Sequence, residues 1–159
     1  MDDIYQVRQV PDKATRIVGS QATLDRVAAA EHPECLMCSP TNPAGMKLRF
    51  RVQADGSVAA VFPCRYLLQS YPDTLHGGVV SALFDAAMVN ALFSINVVAV
   101  TAELTVRFLA PVNLDRGAVV RAVVESAAAH PLYKVRAELE QDQQLKARAT
   151  AKFLVKGCM

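Results

Sequence analysis

The chain contains no tryptophan, and aromatic residues make up only 6% of its 159 positions. Proteins that hold single-stranded nucleic acid stack bases on such rings, so that class is disfavoured. An excess of positive charge is also missing: 17 Lys and Arg stand against 15 Asp and Glu, a net charge of +2. Nucleic-acid binders normally carry a clustered basic surplus, so nucleic acid is not an expected partner. The opening MDDIYQVRQV is acidic and polar, without the apolar stretch of a secretion signal. A cytoplasmic protein with reduced thiols at Cys35, Cys38, Cys64 and Cys158 is therefore expected, and a disulfide framework is not. The ending Lys156-Gly157-Cys158-Met159 has its cysteine in the wrong place for prenylation. No Ser-, Gly- or Pro-rich linker divides the chain. Residues 1–34 read as an N-terminal extension, with a short helix at Thr23 to Glu31 ended by His32-Pro33, and residues 35–159 as the main domain.

What is plentiful is apolar. Hydrophobic residues reach 52%, concentrated in VVSALFDAAMVNALFSINVVAV, Val79 to Val100, whose single charge is Asp85. That run is long enough to cross a bilayer. Asp85 near the centre of a span would cost about 2.5–3.5 kcal/mol, and Ser81, Asn90, Ser94 and Asn96 add to it. A helix over about Val79 to Phe93, buried on all sides by its own protein and followed by a strand, fits better. No membrane is expected as a partner.

Around it the period is two. Met46, Leu48, Phe50 and Val52 alternate with Lys47, Arg49, Arg51 and Gln53, and Ala54-Asp55-Gly56-Ser57 turns the chain into a hairpin with Val58 to Phe62. From Val97 to Phe108 the apolar set is Val98, Val100, Ala102, Leu104, Val106 and Phe108, with Thr101, Glu103, Thr105 and Arg107 opposite. Ala118 to Ala128 reads as a strand, and Leu132 to Gln141 with Gln144 to Val155 as a last hairpin around Asp142-Gln143. A hairpin, one apolar helix and four strands indicate α+β, with an antiparallel sheet curled around the helix.

Chemistry concentrates at the helix. His76-Gly77-Gly78 precede it, where free N–H groups and the positive dipole end can hold an oxyanion. Glycine there lets a ligand carbonyl approach the backbone. A carboxylate in an apolar helix must be paired or partly wet, so Asp85 is expected at a cleft or a subunit boundary, with Ser81 on the same face. By itself, this pattern also fits a helix-entry turn and a satisfied core aspartate. His32 and His130 each precede a proline and read as solvated. Cys35-x-x-Cys38 is half of a zinc or redox motif. With no second such pair, His32 and Cys64 would have to be recruited, so two thiols in a proline-rich loop and no metal are expected.

Leu75-His76-Gly77-Gly78, followed by LFDAAM at Leu83 to Met88, resembles the signature of the hotdog-fold acyl-CoA thioesterases of the phenylacetate-pathway type. TAELTVRFLAP, Thr101 to Pro111, is similar to that family's next strand and turn. Cys35 to Met46 resembles its entry segment. The resemblance spans about residues 35 to 155. It implies a hotdog fold, a dimer or tetramer of like chains with sites between subunits, and hydrolysis of an acyl-CoA, with no cofactor beyond the coenzyme A of the substrate. It also implies that the Gly77 or Gly78 amide polarises the thioester carbonyl, while Asp85 acts as general base or nucleophile. Thr101 falls where the family often carries a hydroxyl that holds the water or carboxylate. His76 anchors the turn. The family's Asn or Gln ahead of the His is represented by Gln69 or Ser70, and Asp73 stands where a small residue is usual. Arg107, ahead of Lys146, Arg148 and Lys152, is the candidate for the coenzyme A phosphates. The alternatives are a non-catalytic acyl-CoA-binding hotdog module and a hydratase. The spacing of His76 and Asp85 does not reproduce the hydratase pattern.

Overall fold

The computed structural model describes residues 17–127 and 131–157. The N-terminal decapeptide, His130 and Cys158 lie outside that range. Among these residues, two α-helices, α1 (Gln21–Glu31) and α2 (Gly77–Ser94), accompany six strands: β1 (Arg51–Val52), β2 (Val58–Phe62), β3 (Ala99–Phe108), β4 (Ala118–Ala127), β5 (Leu132–Gln141) and β6 (Gln144–Val155). The strands form one antiparallel sheet in the order β1-β2-β4-β5-β6-β3. This is the hotdog architecture, a sheet packed around one long helix.

By length and composition α2 could cross a membrane, yet 67% of it is buried inside this protein. Phe84, Phe93, Leu83, Met88 and Leu92 are fully buried together with Phe62, Leu139 and Phe153 of the sheet. A sheet covers one side of a cylinder, and α1 covers much of the other, adding Leu24 and Val27 to the same core. Two contacts fix that lid. The Ser20 N–H donates to the Ser94 carbonyl at 3.0 Å, and Gly19 lies so close to Ser94 that no side chain fits there. Ser20 also caps α1, its hydroxyl accepting from the Thr23 N–H.

Two strands depart from the expected pattern. Only Arg51 and Val52 of the Met46 to Gln53 run join the ladder, although Leu48 and Phe50 are buried as expected. Lys47 takes φ 55°, and the backbone there finds other partners: Met46 and Leu48 N–H donate to the Leu36 and Met37 carbonyls. The Gln21 side chain bridges Phe50 O and Val52 N–H as a neighbouring strand would.

The second departure is in β3. Thr101 pairs with Phe153 and Glu103 with Lys152, leaving Ala102 as an unpaired bulge. A bulge reverses the alternation. Thr101 therefore shares the inner face with Leu104, Val106 and Phe108, while Glu103, Thr105 and Arg107 face outward. Strict alternation places Thr101 with the outward set, and that is corrected.

Candidate active site

The loop before α2 is folded back on itself. His76 N–H donates to Leu68 O and Ser70 N–H to Thr74 O, both at 2.9 Å. The segment 110–116 clamps the other side, with Leu75 N–H on Val112 O and Leu114 N–H on Asp73 O. That clamp hangs on Gln141, a fully buried amide at the end of β5. Its Nε2 donates to Asn113 O and Arg116 O, and its Oε1 accepts from Asn113 N–H. The sequence carries a signal for this: Gln141 falls in phase with the inward set Val135, Ala137 and Leu139, where a polar residue must be fully bonded.

At the helix entry, His76 is the N-cap, and its Nδ1 accepts the Gly78 N–H at 2.9 Å. The two glycines are therefore not equivalent. The Gly78 amide is engaged, whereas no acceptor among the described residues takes the Gly77 N–H. Gly77 borders a cleft of about 380 Å³ lined by Ser70, Tyr71, Val80, Phe108, Leu109 and Ala147. Of the two candidates ahead of the histidine, Ser70 lines this cleft and Gln69 does not. The Ser81 hydroxyl donates to the Gly77 carbonyl, so it is used within the helix.

Asp85 is the one residue from Leu83 to Ser94 that is not buried. The Thr101 hydroxyl donates to its Oδ1 at 2.5 Å. The bulge at Ala102 is what turns Thr101 toward the helix. A carboxylate with one oxygen held and the other free can accept a proton from a water or attack a carbon. The Gly77 amide and Asp85 do not meet within one chain: eight residues of helix separate them by about 12 Å. No single carbonyl group reaches both.

The sheet edge beside this region is open. β3 lies at the end of the strand order, and Phe108 (55% exposed) and Leu109 (47%) sit on it; Tyr71 (78%) and Leu67 (94%) project from the loop before α2. An exposed edge strand carrying apolar side chains is a template on which another chain can pair.

The cationic candidates separate. Arg107 and Arg148 are cross-strand partners facing outward, with Arg136 beside them around a groove of about 380 Å³. Lys152 is paired with Glu103 at 2.8 Å. Lys146 leaves the group: it sits in a bulge between β5 and β6, is 7% exposed, and bonds to Gln144 Oε1.

Two sequence expectations for other residues change. His32 is not simply solvated. It is half-buried, edge-on to the Phe93 ring at 4.8 Å, and burial depresses its pKa despite the nearby Asp85 charge. Cys64 is remote from Cys35 and Cys38, packed against the Phe62 carbonyl, where burial pushes its thiol up to about 11.

The thioesterase superfamily profile matches residues 73–146. The matched stretch includes the helix-entry motif from Leu75 to Met88. In solved structures, a thioesterase superfamily protein aligns with a TM-score of 0.73 and 19% identity over 92% of this chain and 73% of that one. A thioesterase-type, phenylacetic acid degradation-related protein of Ralstonia eutropha gives 0.68 and 22%, over 84% and 99%. A thioesterase protein of Streptococcus pneumoniae, solved with coenzyme A, gives 0.63 and 18%, over 69% and 89%. That pneumococcal protein has also been solved with an aspartate, and with a threonine sixteen residues further on, replaced by alanine. No curated protein matches the chain in sequence.

Proposed function

We propose that the protein hydrolyses acyl-CoA thioesters, with each site assembled from two copies of the chain. The observation that carries this reading is the Thr101-held carboxylate of Asp85, placed at the one opening in the otherwise buried stretch from Leu83 to Ser94. The pneumococcal relative carries its substituted aspartate and threonine sixteen residues apart, the separation of Asp85 and Thr101. Coenzyme A and acetyl-CoA are bound in two structural relatives, which supports a CoA thioester as the ligand.

In this scheme α2 of a second copy runs antiparallel beside the first, joined through the open β3 edges, and brings its Gly77 to the Asp85 of its neighbour. The Gly77 amide, the one left without an acceptor among the described residues, donates to the thioester oxygen, and the helix dipole adds to that field. Asp85 takes a proton from water, and the resulting hydroxide attacks the carbonyl carbon. The tetrahedral intermediate then breaks its C–S bond, and the coenzyme A thiolate leaves with the proton Asp85 has held. Thr101 occupies one carboxylate oxygen and leaves the other for water; direct attack by that oxygen to give a mixed anhydride is the alternative course. The apolar cleft beside Gly77 takes the acyl chain or the pantetheine arm. The outward arginines, Arg107 first, meet the phosphates of coenzyme A.

The test is thiol release from acyl-CoA esters of graded acyl length. Release by the wild-type chain is expected. Saturable binding of the esters with no release from any of them would replace the enzyme by a non-catalytic acyl-CoA-binding module.

A further inference from the structure

The turn between α1 and the first hairpin brings together side chains that the hydrolytic scheme does not use. His32, Cys35 and Cys38 place one donor atom each, an imidazole nitrogen and two sulfurs, all within 4.8 Å of one another. Cys38 Sγ lies 3.7 Å from His32 Nδ1. For zinc bonded to sulfur and nitrogen in a tetrahedron, that edge comes to about 3.6 Å. The spacing His-x-x-Cys-x-x-Cys supplies all three from one turn, and the turn is already fixed. Cys35 N–H reaches the His32 carbonyl and Ser39 N–H the Cys35 carbonyl, while the Ser39 hydroxyl donates to Pro33 O at 2.6 Å.

One sulfur also has a hydrogen-bond donor that a thiolate would use: the Met37 N–H points to Cys35 Sγ at 3.4 Å, while Asn90 of α2 lines the same cleft as His32 and Cys38. Such donors orient ligands and hold negative charge on sulfur. We propose that His32, Cys35 and Cys38 form a binding site for a soft divalent cation of the zinc class, one per chain, which closes this turn. No fourth Cys, His, Asp or Glu joins the cluster among the described residues. The fourth position therefore falls to water, on the side where His32 and Cys38 line a cleft of about 510 Å³ with Asn90, Pro40 and Thr41.

Cysteine ligates as the thiolate, so metal binding would release protons and weaken as pH falls. The site is independent of whether the protein is a hydrolase.

The experiment uses the full chain, purified reduced. Metal content is measured by mass spectrometry, and zinc affinity by competition with a chromophoric chelator. Cobalt(II) substitution is read for thiolate charge-transfer and tetrahedral bands. About one equivalent is expected, with affinity reduced tenfold or more in Cys35→Ser, Cys38→Ser and His32→Gln and unchanged in Cys64→Ser. Circular dichroism confirms which variants fold. Should the cysteine variants unfold, His32→Gln, which removes a ligand and keeps both thiols, decides the matter. Substoichiometric zinc, affinity unchanged in His32→Gln, or a cobalt spectrum without thiolate bands would overturn the proposal. So would a Cys35–Cys38 disulfide whose reduced form binds no metal.

Discussion

The first turn of α2 and its middle are parts of one apolar helix, yet they open to the outside in different ways. At the first turn the backbone itself is accessible: Gly77 carries no side chain, its N–H lacks an acceptor among the described residues, and the Phe108 ring stands beside it. In the middle, the backbone is fully enclosed and a single side chain, Asp85, reaches out to Thr101. The first opening presents a partial positive charge and the second a negative one. Their separation along the helix means that neither can serve the other within one chain. On the proposed reading, a largely apolar helix carries two half-sites, each defined by what interrupts it.

Removing the negative half has the largest expected effect. Asp85→Asn should lower turnover by about 10²–10⁴-fold while gel filtration shows the same oligomer; an active variant breaks the assignment. Blocking the positive half should hurt comparably without unfolding the chain. A Cβ at Gly77 would meet Phe108 at 3.4 Å, an ordinary contact, so Gly77→Ala should fold normally and lose about 10²-fold in kcat through displaced carbonyl approach. Combining the two defects sharpens the comparison further. Refolding Asp85→Asn together with Gly77→Val, each inactive alone, should restore roughly a quarter of wild-type activity, because mixed dimers carry one intact site of two. No recovery would mean that both halves act within one chain. Thr101→Ala should cost about 10-fold in kcat, with Thr101→Ser recovering most of it, since the hydroxyl orients a carboxylate and does not react. The smallest effect belongs to the cap: His76→Ala should destabilise the fold by about 1 kcal/mol in thermal or urea unfolding.

Much of this is legible in the amino-acid sequence alone. The alternation in β5 and β6 is regular enough that Leu132–Gln141 and Gln144–Val155 are read to the residue. Asp142 and Gln143 then close the hairpin, both at positive φ. The apolar helix is equally plain, because only burial explains so few polar residues. Other features depend on distant partners. The run at Met46 has a strand's pattern, but Gln21 and the cysteine turn supply its hydrogen bonds, and local alternation does not show who the neighbour is. The role of α1 as a cover rests on Gly19 meeting Ser94, a contact across 75 positions of sequence. His32 reads as a solvated residue ahead of a proline, since nothing local shows that Phe93 and Cys38 surround it. At the site, the motif points to Gly77 and Gly78 together. Only the ring of His76, placed on one of the two amides, distinguishes them.

The bulge at Ala102 has a consequence for sequence change in this edge strand. One residue sets the phase of everything before it. Deleting Ala102 would leave every functional side chain in the sequence, yet send Thr101 to the opposite face of the sheet and detach it from Asp85. An insertion or deletion of a single alanine, invisible to any inspection of the reactive groups, would separate hydroxyl from carboxylate as surely as mutating either one.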